Sequence, residues 1–74
     1  MNPVWISRSN AYPGNYKGPF YVKWVAYIPD RNQAPTIMLQ ISNQYPLDIV
    51  EIIDARTGDM LAYAMGGYLV AGGV

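Results

Sequence analysis

The run Val50-Glu51-Ile52-Ile53-Asp54-Ala55-Arg56-Thr57-Gly58-Asp59-Met60-Leu61-Ala62-Tyr63 sets two apolar stretches on either side of a short polar turn, the pattern of a β-hairpin. Asp54 is placed to accept hydrogen bonds from amides just downstream of it. Gly58 supplies the positive φ that a type I turn followed by a bulge requires. Turn chemistry therefore specifies this connection as well as hydrophobicity does, and an antiparallel sheet is the architecture that follows from it.

Other segments read the same way. Residues 20 to 28 alternate, with Phe20, Val22, Trp24, Ala26 and Ile28 on one wholly apolar face and Tyr21, Lys23, Val25 and Tyr27 on an amphipathic one. After Pro29 to Pro35, the period-two pattern of residues 36 to 42 predicts a second strand, with Ile37, Leu39 and Ile41 inward and Thr36, Met38, Gln40 and Ser42 outward. Asn43-Gln44-Tyr45-Pro46 makes a turn, and strands near 48 to 54 and 60 to 65 complete the hairpin. The expected fold is all-β, or β-rich α+β: an antiparallel meander of four to five strands with little or no helix. Trp24, Val22, Ile37, Leu39, Ile41 and Ile52 are its expected core.

Residues 1 to 19 carry Pro3, Pro13, Gly14, Gly18 and Pro19 with aromatics between them, which predicts an extended arm with Val4-Trp5-Ile6 as a short strand and residues 12 to 15 as a turn. Residues 20 to 65 form the sheet domain. Residues 66 to 74 form an apolar tail in which Gly66-Gly67 acts as a hinge and Tyr68 to Ala71 has the composition of a fifth strand.

Size and composition bound the function. A core built by 74 residues gives only about 3–5 kcal/mol of net stability, and with no cysteine and no histidine the chain has neither a disulfide nor a zinc site to supplement it. Oligomerisation or docking on a partner remains. Half of the residues are apolar and only 14% are charged, below the ~25% of an average soluble domain. Net charge is zero, from five basic and five acidic residues scattered singly, so the basic patch that binds nucleic acid is lacking; the seven tyrosines read as strand and interface residues. No apolar run reaches the roughly 18 residues of a membrane span. The N-terminus lacks the pattern of a signal peptide, which places the protein in a cytoplasm or a virion, or outside the cytoplasm if the chain is a processed fragment.

The residue types of catalysis are sparse. Without His or Cys, the commonest general base and the soft metal ligands are missing, and Ser7, Ser9 and Ser42 lie in no nucleophile motif. Asp48, Glu51, Asp54 and Asp59 are the one acidic concentration; Asp54 and Asp59 flank a turn, and Glu51 with Arg56 reads as solvated or paired. The glycines match no phosphate-binding fingerprint. No catalytic residue, cofactor or metal is expected.

Tyr21-Val22-Lys23-Trp24-Val25-Ala26-Tyr27, followed by the hairpin from Val50 to Leu61, resembles the C-terminal half of PepSY-type domains, which carry a W-x-V-x-Y-like strand and end on a strand, a D-A-x-T-G-[ED] turn and a last strand. The resemblance covers about residues 20 to 64. It implies a non-catalytic module that binds or restrains a partner protein, as such domains do in protease propeptides and bacterial extracytoplasmic proteins. The sequence pattern predicts no counterpart here to the helix that precedes the sheet in that family.

Two functional expectations follow. One is a protein-protein interaction module acting through an apolar sheet face or edge strand. The other is a self-assembling subunit of a filament or virion that exchanges terminal strands. Both faces of the third and fourth strands are apolar and no amphipathic helix is expected to cover them. Tyr63, Met65, Tyr68, Leu69 and Val70, with Trp5 and Tyr12 of the arm, are the interface candidates.

Overall fold

The computed structural model of the chain describes residues 2–11, 14 and 17–73. Along the sequence it forms β1 (Val4–Ser9), β2 (Val22–Ile28), a 3-10 turn at Arg31–Gln33, α1 (Ala34–Gln44), β3 (Ile49–Asp54), β4 (Met60–Met65) and β5 (Tyr68–Gly72). The five strands make one antiparallel sheet in the order β2-β1-β3-β4-β5. The chain is thus β-rich and antiparallel, with one short helix.

The internal order differs from a simple meander. Residues 36 to 42 are not a strand but the body of α1, which buries Ala34, Met38 and Ser42 and half-buries Ile37 and Ile41. The spacing of these residues is that of one helix face. Pro35 stands in the first turn, where its missing N–H costs nothing, and the Asp30 side chain accepts from the Asn32 amide to start the preceding 3-10 turn. Ile37, Leu39 and Ile41, expected inward as a strand row, are only partly buried. Met38 and Ser42, expected outward, are buried.

Residues 4 to 9, of which Val4 to Ile6 were expected as a short strand in an extended arm, form an interior strand. β1 pairs with β2 on one side and with β3 on the other, so β2 and β3 are not neighbours and the chain passes through α1 to get from one side of β1 to the other. The turn expected at residues 12 to 15 lies outside the described residues apart from Gly14.

Trp24 also lies elsewhere than expected. The β1–β2 register runs Ile6↔Ala26 and then Ser7↔Trp24, skipping Val25. This bulge reverses the alternation of β2: Ala26 and Ile28 face the same way as Val4 and Ile6, whereas Trp24 and Val22 face the other way. Trp24 is 59% exposed and Val22 60% exposed, so neither belongs to the core in which both were expected.

The core is the layer between α1 and one sheet face. Val4 and Ile6 of β1, Val50 and Ile52 of β3, Ala62 and Ala64 of β4, Ile28, Ala34 and Met38 are all buried there. Ala62 and Ala64 take little room, which lets the helix lie close to the sheet. Each end of the layer is closed by an ion pair, Arg8 with Asp48 and Arg31 with Asp54.

The turns follow their sequence chemistry. Asp54 Oδ1 accepts from the Arg56 amide at 2.8 Å and the Thr57 amide at 3.1 Å, and Gly58 adopts φ +80. Gly66-Gly67, expected as a hinge, forms a two-residue turn with φ +62 and +84 between the paired Met65 and Tyr68. Positive φ at both positions is the requirement of a type I′ hairpin. The Gly67 amide donates to Ser42 Oγ at 2.9 Å, tying this turn to the end of α1.

Candidate functional site

The helix covers one face of the sheet; among the described residues no helix or second sheet covers the other, the open face, although Ser7 and Ser9 on it are buried. Register places Trp24, Val22 and Tyr27 of β2, Trp5, Ser7 and Ser9 of β1, Ile49, Glu51 and Ile53 of β3, and Tyr63 and Met65 of β4 on this open side. Trp5 anchors one end. Its ring meets Trp24 edge-on at 6.1 Å between centroids and Tyr27 at 5.2 Å. The T-shaped geometry is the favoured one for rings with quadrupoles, and it holds three large side chains in place while exposing them. Trp5 and Trp24 border a small hollow.

The other end is a shallow depression of about 350 Å³ lined by Ala11, Ile49, Glu51, Met60, Tyr63, Met65 and Val70. Its lining is mainly apolar, and Glu51 is the one charged side chain in it. Glu51 stands on β3 between Ser7 of β1 and Tyr63 of β4, partly buried, and its carboxylate makes no hydrogen bond or ion pair among the described residues.

Among the residues singled out in the sequence, Tyr63 and Met65 are partly buried on the open face, beside Val70. Trp5 is 37% exposed at its far end. Tyr68, Leu69 and Val70 lie on β5, an outer strand of the sheet, and all are exposed. Tyr12 lies outside the described residues. Trp24 and Val22, expected in the core, belong to this face as well, moved there by the register shift at Val25.

Several other polar residues tie the fold together. Asp48 accepts from the Arg8 guanidinium at 2.5 Å and from the Tyr21 hydroxyl at 2.8 Å, and the guanidinium lies 3.8 Å above the Tyr45 ring. These contacts raise the Arg8 pKa, chiefly through the bond to Asp48, and raise that of the Tyr21 phenol for the same reason. The cluster pins the segment before β2 and the end of α1 to the sheet. Asp54 pairs with Arg31 at 2.7 Å, and Glu51 does not pair with Arg56. Ser9 Oγ accepts from the Ala11 amide, and Ser42 Oγ from that of Gly67. Among the described residues no three acidic side chains converge on a point where a metal ion could sit, and no helix is long and apolar enough to cross a membrane.

No protein-family model, no curated protein and no solved structure matches the chain.

Proposed function

We propose that this chain is a non-catalytic interaction module that binds a partner protein through the helix-free face of its sheet. The observation that carries the proposal is the row of exposed aromatic and apolar side chains, Tyr27, Trp24 and Val22 of β2 beside Trp5 of β1, on a face over which the described residues lay no helix or second sheet. Large aromatics in contiguous exposure mark association surfaces, because tryptophan and tyrosine contribute large contact area at low cost in conformational entropy. Burial of such a surface is worth roughly 25 cal/mol per Å² before the entropy of association is subtracted. The resemblance of the 50–61 hairpin to PepSY-type domains points to the same class of activity.

The outer strand β5 favours a second reading, assembly with further copies. Tyr68–Gly72 has no charged side chain and, among the described residues, pairs on one side only, with β4, which leaves its other edge for strand addition. Light scattering coupled to size-exclusion chromatography separates the two. A species whose mass does not change with concentration, and whose capture of a partner is lost in Trp24→Lys, supports the module. Open-ended growth that survives Trp24→Lys and stops when lysines replace Tyr68 and Val70 supports the assembling subunit.

A further inference from the structure

We infer that Glu51 sets the specificity of the helix-free face: it selects a protein segment that presents one lysine or arginine among apolar side chains, and it rejects a second copy of this chain. The inference rests on the reading of that face as an interaction surface.

Three observations lead to it. Glu51 is central, on the middle strand of the five, with Ser7 opposite it on one side and Tyr63 on the other. Its carboxylate has no partner among the described residues, whereas Asp48 and Asp54, at either end of β3, are each paired with an arginine on the other face. Finally, the strand residues that register assigns to the open face include no lysine and no arginine; Lys23 and Arg8 are opposite one another on the helix side.

The consequences follow from desolvation. A layer that covers the face takes Glu51 out of water, and an ionised carboxylate buried without a counter-charge is strongly unfavourable. Two copies packed face to face would bury two such carboxylates and bring no strand cation to either. A segment with a single cation avoids this: its charged end reaches Glu51, its aliphatic stem lies along Ile49, Met65 and Val70, and its apolar neighbours meet Trp5 and Trp24, whose rings also attract positive charge. One charge in an apolar frame thus acts by repulsion as well as by attraction, which is how specificity is commonly built.

The test uses twelve-residue random peptides displayed on phage, selected in parallel on the full chain and on Glu51→Lys. Selection of Lys or Arg between apolar residues on the first, with loss of that basic residue or its replacement by Asp or Glu on the second, supports the inference. A selected peptide, resynthesised with norleucine for its basic residue, should bind the unmodified chain at least tenfold more weakly. Glu51→Gln, which keeps the shape of the side chain, should reduce binding of the basic peptide by a similar factor and leave the norleucine peptide unaffected. The same peptides selected on both forms, with tryptophan fluorescence changed on binding, would overturn the role of Glu51 and leave the face as a binding surface. Failure of both forms to select any peptide would overturn both proposals. A wild-type dimer joined through the open face would also overturn the inference.

Discussion

The Trp24 ring stands edge-on to that of Trp5, 6.1 Å away with the planes at 72°, on the side of the sheet that α1 does not cover. Trp24 reaches that position only because the bulge at Val25 turns it out of the core. A tryptophan so placed is replaceable without loss of the fold. Trp24→Lys should cost about 1 kcal/mol or less, most of it the edge-to-face contact. Ile6→Ala and Met38→Ala, at buried positions on either side of the core layer, should each cost about 2–5 kcal/mol, enough to unfold much of so small a domain. Urea denaturation of the three variants checks the order, and a Trp24→Lys as unstable as Ile6→Ala would place Trp24 in the core after all.

Gly72 and Gly58 both have positive φ but differ in their surroundings. A Cβ at Gly72 would strike the Leu61 carbonyl oxygen and come within 2.8 Å of Ala62 Cα, both backbone atoms, whereas one at Gly58 would meet nothing within 4 Å. Gly58→Ala should therefore cost only the roughly 1–2 kcal/mol of left-handed backbone strain. Gly72→Ala carries a similar strain and must also push β5 off β4. Hydrogen exchange should accelerate across residues 68–72 in Gly72→Ala and not in Gly58→Ala; equal protection of β5 in the two variants would contradict the close approach.

The Arg31 guanidinium, joined by the Arg56 and Thr57 amides, lowers the Asp54 carboxyl from its ordinary 3.8 to about 2. A carboxylate with a depressed folded pKa adds stability above its unfolded value and loses it as pH falls through the folded one. Stability should thus decline between about pH 4 and pH 2 in part through Asp54. Asp54→Asn keeps an acceptor for the turn amides and removes the charge, so the difference between the wild-type and variant stability curves should be largest at neutral pH and shrink across that window. A difference that does not depend on pH would show that the ion pair contributes nothing.

The hairpin was legible in the sequence because its determinants are local: Asp54 and its two amide donors lie within three residues, and Gly58 acts through its own φ. The fifth strand was legible from composition. Residues 36 to 42 were misread because Ile37, Leu39 and Ile41 satisfy a period of two, while the true buried row includes the small Ala34 and the polar Ser42. Pro35 at the start of an eleven-residue run was the available sign of a helix. The placement of Trp24 could not be read, since a bulge is a property of the pairing with β1 and not of β2 alone. Glu51 was visible as an acidic residue, but its want of a partner depends on which strands flank it.

The central claim, that the open face is where the protein meets its partner, is tested most directly by photo-crosslinking in the cells that make it. A benzophenone amino acid would replace Tyr27 or Tyr63 on the open face and, as controls, Thr36 or Gln40 on exposed positions of α1. Covalent adducts with a distinct protein from positions 27 and 63, and none from 36 and 40, are the predicted result. Adducts from the helix positions alone, or none from the sheet face, would contradict the account.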